Sequence, residues 1–550
     1  MLVRLSAEPH VAGRPFATSL NWRALAVVGG LLLLLAPLLV ARIPPLIDYP
    51  NHLARMHVLA TGADTPGLRA MFVIDWAFIP NMAMDIVVPA LAQVMALDIA
   101  GKLFIGLAIL LPPLGVVALH RAWFGRRSRW PWVGLLTGVN AFVILGLLNY
   151  DVGIGLALLG AAWHARRAVL RSPISLWVGM AGAALWGVAC MLSHLAAFGL
   201  LVLLMISTET ARWSRRDLLR RAAPILAASI VPLALYRALG PTATYASIDT
   251  LGTSMTQVLQ HGLLSDLSRR ATWSLAPFAA PWTILGLASA GLVLAAALWS
   301  AWRRQLAVAP QMLLALAALV VAYLMLPSQL AENGMMFERI SLPLMLVAIA
   351  GIDPRLHGRM LVGFTVALAA LVLVRSVGLA AVWSSQDRLV TDMERAIEPI
   401  EPGARVLVVR DGTNPWHIDP DETGARRALL RSVSYGHLGA LVTLDRDAFY
   451  PMIFSIAGKQ PVRLRPAYEA QAQSDGYVPL TTELAPAASV PASPGRCKFN
   501  PNVLPCQLWS WPQRYDYVLR LNAHGPALED GRLTQVAASG WAVLYRVHRL

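Results

Sequence analysis

Long apolar runs alternate with short polar breaks as far as about residue 385, and beyond that point the pattern becomes that of an ordinary polar chain. A helix that crosses a bilayer needs about 20 mostly apolar residues. The first such run is Trp22 to Ala41. A cleavable signal peptide would carry a shorter apolar stretch, about 7–15 residues, followed by small residues. This run is longer and ends in Arg42-Ile-Pro-Pro, so it reads as a retained helix. Further runs lie near 100–120, 131–148, 152–168, 174–192, 195–209, 222–239, 275–300, 308–327, 338–352 and 360–384. By length they predict about eleven spans. The stretch 83–98 is also apolar, but it is short and carries Asp85 and Asp98 at its ends. It reads as a helix lying at the outer interface.

Charge orients these spans. The chain carries a formal net charge of +15, supplied almost wholly by arginine. Arg4, Arg14 and Arg23 flank the start of the first run. With that end inside, the spans place Arg121/Arg126/Arg127/Arg129, Arg166/Arg167/Arg171, Arg212/Arg215/Arg216/Arg220/Arg221, Arg303/Arg304 and Arg355/Arg359 on the same side. The turns near Tyr150, Ser193 and Gln329 are nearly free of basic residues, as the positive-inside rule requires. In a soluble chain this charge would suggest nucleic acid; here it reads as topogenic, and no nucleic-acid partner is expected. An odd number of spans sends the tail outside. The expected layout is a cytoplasmic N-terminus (1–21), a membrane domain (22–385) with outer loops 42–99 and 240–272, and a periplasmic soluble domain (386–550).

Composition agrees. The chain is 57% hydrophobic and only 14% charged, where soluble domains run near ~45–50% and ~25%. The tail restores ordinary polarity. Residues 386–400 fit a helix leaving the membrane, and 405–410, 515–521 and 541–547 fit strands. Residues 438–450 read as helical or irregular, and the Pro/Ala/Ser-rich 481–496 as a flexible loop. A small α/β or α+β domain follows, with no Gly-rich phosphate loop and no Ser-His-Asp constellation. Its expected part is in acceptor access or partner binding, not catalysis. Of three cysteines, Cys190 lies in an apolar run as a small hydrophobe. Cys497 and Cys506 can close a short disulfide loop if the tail faces an oxidising compartment.

Ionisable residues at membrane depth are functional candidates by default. Most cluster on the outer face. After the first span comes Asp48-Tyr49-Pro50-Asn51-His52-Leu53-Ala54-Arg55, behind Pro44-Pro45, which stops the helix. Asp48 reads either as the cap of the next helix with a local Arg55 partner, or as a catalytic carboxylate; His52 and Arg55 lie three apart on one face. Asn149 and Asp151 sit in a turn whose local hydrogen bonding explains them equally well. Gly153 and Gly155 suit close approach of a helix or of a ligand. His194 breaks a long apolar run, as a structural or a functional histidine. Glu332, Glu338 and Arg339 border another outer turn, and an arginine there suits a lipid phosphate. The outer loop 240–272 contributes Arg269 and Arg270, with Arg237 just before it. Those side chains suit a phosphate and a sugar, or ordinary headgroups.

These residues, in this layout, resemble the GT-C superfamily of polytopic membrane glycosyltransferases, which transfer a sugar from a polyprenyl-phosphate donor outside the cytoplasmic membrane. The resemblance implies a long first outer loop that opens with an acidic residue just after the first span and contains interfacial helices. Here that loop is 42–99, with Asp48 at the acidic position and Asp85–Asp98 in the interfacial helix. It also implies a soluble C-terminal domain on the outer face, matching 386–550. Many members pair two acidic residues in this loop, whereas Asp48 is followed by Tyr49 and Pro50. A hard divalent cation prefers several oxygen ligands, so no metal and no other cofactor is expected. The implied chemistry inverts the anomeric carbon. Asp48 deprotonates or orients the acceptor hydroxyl, and Arg237, Arg269, Arg270 and Arg339 are candidates to hold the leaving phosphate. His52, Arg55, Asn149, Asp151, His194 and Glu332 complete the candidate binding set. The implied partners are the polyprenyl-phosphate sugar donor, a lipid or glycan acceptor and membrane lipids, in a bacterial inner membrane. Two other readings stand beside this one: a transporter or flippase of lipid-linked saccharide, and a non-catalytic scaffold in which Asp48 is locked to Arg55. The lack of an internal repeat weighs against the transporter.

Overall fold

The computed structural model describes residues 22–167, 173–211, 218–241, 263–329, 334–412, 437–472, 478–492, 504–523 and 525–549. Its N-terminal part is a bundle of helices: α1 (Trp22–Leu35), α2 (Tyr49–Thr61), α3 (Pro66–Met71), α4 (Ala83–Ala92), α5 (Leu97–Phe124), α6 (Ala141–Leu145), α7 (Leu148–Arg167), α8 (Pro173–Ser193), α9 (Leu195–Thr210), α10 (Leu218–Leu239), α11 (Leu263–Trp273), α12 (Thr283–Trp302), α13 (Leu313–Met325), α14 (Met336–Gly351) and α15 (Gly358–Ile397). Among the described residues five helices are long and apolar enough to cross a membrane, beginning at Leu97, Leu176, Leu219, Thr283 and Gly358. Other apolar helices are shorter, at 10–17 residues.

Local chemistry sets the ends of these helices. Asn140 caps α6 by accepting from the Phe142 and Val143 amides at 2.8 and 3.2 Å, which removes two of the unpaired donors at a helix start. Gly125 ends α5 in the left-handed region, φ 65°. Glycine also sets the packing distance between α5 and α7. A Cβ at Gly155 would lie 2.8 Å from the Pro112 nitrogen, and one at Gly153 would lie 3.0 Å from the Ser193 Cβ. Both glycines therefore serve helix-to-helix approach. The α4 helix has ten residues, about 15 Å at 1.5 Å per residue. That is half a hydrocarbon core, so α4 lies against the bundle without crossing it.

The bundle has two unlike ends. Arg121, Arg126, Arg127, Arg129, Arg303, Arg304, Arg355 and Arg359 all fall where one set of helix ends meets, and the antiparallel pair of β2 (Leu306–Val308) and β3 (Ile352–Pro354) lies there too. Asp48, Tyr150, His194 and Arg339 fall at the other set of ends.

The tail packs onto the Asp48 end. It is built on a four-stranded mixed sheet ordered β4 (Val406–Arg410), β6 (Tyr517–Leu521), β8 (Ala542–Val547), β7 (Leu533–Ser539). The β4–β6 pair is parallel and the others antiparallel. Three of these strands match the sequence expectation and β7 is additional; it is an edge strand with no buried residue, so no apolar run marks it. Residues 481–487, expected as loop, form a 3-10 turn and a short helix. The helix expected at 386–400 is the continuous end of the 40-residue α15. Cys506 is disulfide-bonded and Cys190 is free and buried; Cys497 lies outside the described residues.

The loop after α1 and the tail form one assembly. Strand β1 (Phe72–Ile74) pairs antiparallel with β5 (Val462–Leu464) of the tail. Arg42 gathers Asp98, Asp445 and Glu394 around its guanidinium, while its amide donates to Asp387 at 2.8 Å. His57 meets Asp447 at 2.7 Å.

Candidate active site

Asp48 is placed by backbone before its side chain does anything. Ile47 and Asp48 donate to the Ile144 and Leu145 carbonyls at 3.0 and 3.1 Å. Gly146 closes on Asp48 from the other side: its φ is +86°, and a Cβ there would lie 2.8 Å from the Asp48 amide nitrogen. Any other residue would be both strained and in collision. Asp48 occupies the position before α2, yet its carboxylate makes no cap hydrogen bond. The side chain keeps 24% of its surface exposed.

His437 of the tail faces it. Its Nε2 lies 3.5 Å from Asp48 Oδ1, within ion-pair range but longer than a hydrogen bond. Asn51 decides which nitrogen carries the hydrogen. Its Oδ1 accepts from the Phe454 amide at 2.8 Å, so its Nδ2 is the donor to the Met452 carbonyl and to His437 Nδ1, at 2.8 and 3.1 Å. His437 Nδ1 is then an acceptor, and in neutral imidazole the hydrogen sits on Nε2, toward Asp48. Phe454 packs edge-on to both His52 and His437, with centroids 5.3 and 4.9 Å away.

Electrostatics sharpen the pairing. Burial pushes the Asp48 carboxyl up to about 7, against the opposing pull of Arg339 and then Arg55. Its partial exposure lets water moderate that rise. Burial lowers His437 to about 4, so it is neutral near pH 7. Burial, with the charge of Arg55, holds His52 well below the usual imidazole range.

Arg339 lies near enough to Asp48 to act on its carboxyl, and His194 lies against Arg339. His194 caps α9 by accepting from the Ala196 amide at Nδ1, 3.1 Å, which leaves the hydrogen on Nε2. Arg339 Nη1 lies 3.5 Å from that Nε2. Two donors thus face each other with no acceptor between them, and the buried Arg339 Nε has no partner among the described residues. The Arg339 carbonyl is held by the Tyr150 hydroxyl, whose ring stands edge-on to His194 at 5.2 Å. An acceptor placed between them would satisfy both donors.

Several expected site residues are employed elsewhere. Arg55 does not pair with Asp48: it makes a fully buried two-pronged contact with Asp85, 2.6 and 3.0 Å, which pins α2 to α4. Asn149 bridges the Met84 amide and the Asn81 carbonyl at 2.8 and 2.7 Å, and Asp151 accepts from Asn140 at 2.7 Å. Both are scaffold. Arg270 is committed to the Tyr323 and Leu326 carbonyls. Arg269 pairs with Glu338 and Ser328. Arg237 is exposed at the end of α10. Glu332 and residues 242–262 of the outer loop lie outside the described residues. Asn51 and His437 are the members that sequence reasoning passed over. Among the described residues no three His, Cys, Asp or Glu side chains stand together as a metal site.

No protein-family model matches the chain, and no curated protein does. Two solved structures are similar in fold. ArnT from Cupriavidus metallidurans bound to undecaprenyl phosphate shares 12% identity over 96% of this chain and 98% of that one, with a TM-score of 0.49. The same protein in the apo state shares 13% over 95% and 97%, with a TM-score of 0.46. At that identity and overlap the likeness concerns architecture and assigns no residue a role.

Proposed function

We propose that this chain is a membrane glycosyltransferase that moves a sugar from a polyprenyl-phosphate donor to an acceptor hydroxyl, with Asp48 as general base. One observation carries the reading. A carboxylate with no committed hydrogen bond and a pair of facing donors with no acceptor lie close together at one end of the bundle. Such a grouping suits a reaction that takes a proton at one point and gathers negative charge at another.

The step balances as follows. Asp48 takes the acceptor's proton as the acceptor oxygen attacks the anomeric carbon. The bond from that carbon to the phosphate oxygen breaks, the configuration inverts, and polyprenyl phosphate leaves as the anion. Arg339 and the His194 Nε2–H receive the charge on that phosphate. Neutral His437 presents Nε2–H to the carboxylate and orients it. That Arg55 is spent on Asp85 and not on Asp48 speaks against a locked scaffold.

The test is incorporation of labelled sugar from a polyprenyl-phosphate donor into membrane glycans. In Asp48→Asn, transfer should drop by about 10²–10⁴ while the purified protein keeps the wild-type melting temperature. Undiminished transfer in a folded Asp48→Asn protein removes Asp48 from the mechanism.

A further inference from the structure

The end of the bundle opposite Asp48 carries a cleft that the proposed reaction does not use. It has a volume of about 200 Å³ and lies between the end of α5, the β3 strand and the start of α15. The distance from the Asp48 site follows from α14, which begins near Arg339 and ends beside the cleft. Its 16 residues span about 24 Å.

The cleft is amphipathic. Its floor is Trp130 stacked on Phe364, centroids 5.9 Å apart. Its rim carries Arg126, Arg127, Arg129 and Arg355. One carboxylate, Asp353, is present, and it is already engaged: Arg126 pairs with it and Ser128 donates to it at 2.9 Å. Three arginines therefore remain without an ion partner among the described residues. Like charges gathered around a cavity repel one another unless an anion enters.

The backbone adds to this field. Helix α15 starts here at Gly358, with no side-chain cap and no acidic residue in its first turn. The free amides and the positive end of a 40-residue helix open on the same space. An aromatic floor beneath a cationic rim is the environment of a phosphate that has an apolar body attached. A free anion has no use for the floor.

We propose that this cleft is a binding site for the phosphate of an anionic phospholipid drawn from the adjoining leaflet. Arg127, Arg129 and Arg355 hold the phosphate, and Trp130 and Phe364 bear on the glycerol and the upper acyl chain.

The test titrates phosphatidylglycerol into the full-length protein in detergent and reads the bound lipid by native mass spectrometry. The triple variant Arg127→Gln/Arg129→Gln/Arg355→Gln should bind on the order of a hundredfold more weakly, since each arginine near a lipid surface is worth about fivefold. Arg303→Gln/Arg304→Gln removes two basic side chains at the same end but outside the cleft, and should change binding little. Equal binding by wild type and triple variant, or equal losses in the two variants, overturns the site. Inorganic phosphate is titrated in parallel. If it binds as tightly as the lipid and is lost in the same variant, the source is a free anion and the lipid assignment fails. All variants are compared at matched melting temperature in phosphatidylcholine nanodiscs. Should the triple variant not fold, Arg355→Gln alone is expected to weaken binding about fivefold.

Discussion

A carboxyl group pushed up to about 7 and a buried arginine acting on it set each other's behaviour. Burial is the largest influence on Asp48, and Arg339 is the strongest force opposing it. The base form is populated above about pH 7, so kcat/KM should fall about tenfold per pH unit below that point. Arg339→Gln removes the charge that favours the carboxylate. The acid limb should then move to higher pH, together with a weaker hold on the donor. A limb that stays in place would separate Asp48 from it. Stability carries the same signs. A raised Asp48 favours the fold below its unfolded value near 3.9, and that contribution fades as pH rises through about 7. His437, lowered to about 4, destabilises as pH falls below the unfolded imidazole value near 6.5. Asp48, His194 and Arg339 were legible because an ionisable side chain beside an apolar run stands out. His437 was not. It lies in unremarkable polar sequence, and it enters the site through Asn51, 386 residues earlier.

Among the elements, periodicity and length were enough to find most helices; the run at 131–148 is the exception, a 3-10 stretch (Trp130–Thr137) followed by the five-residue α6. The shortness of α4 followed from the polar ends of its run, but Asp98, expected in the same helix as Asp85, instead lies in the first turn of α5. What no run revealed was the partner of its acidic residue: Asp85 meets Arg55 only once α2 folds back along the bundle. Nor did the sequence distinguish between two uses of Gly153 and Gly155, helix contact or ligand contact. The backbone contacts decide for the first. This gives an element-scale prediction. In Gly155→Leu the new side chain meets Leu111 and Pro112, and overpacking of this kind costs about 1–3 kcal/mol. The variant should melt lower in detergent and lose α5–α7 packing, while Gly199→Leu, with open space at its Cα, should melt like wild type. Equal melting of the two would mean that α5 and α7 separate without penalty.

At the scale of the whole molecule, the tail is part of the site, because it delivers His437 to Asp48. The sequence showed a polar domain after residue 385 and three of its strands, but nothing in composition says where a domain docks. Docking is made of long-range pairs: β1 with β5, Asn51 with Met452 and Phe454, and Arg42 with Asp98, Asp445 and Glu394. Arg42 is the junction at which α1, the first loop, α15 and the tail all meet. Its side chain is 39% exposed, so water screens each pair and none alone is worth more than about 1 kcal/mol. Their effect lies in being shared. Arg42→Gln leaves three carboxylates facing one another, and their repulsion acts to lift the tail off the loop. The expected result is faster protease nicking of the tail at low salt, less so at high salt where the repulsion is screened. Sugar transfer should fall with it, because His437 leaves Asp48. Restoring a charge with Arg42→Lys should recover much of both. If Arg42→Gln left nicking unchanged while transfer fell, Arg42 would act on the site directly and not through the docking of the tail.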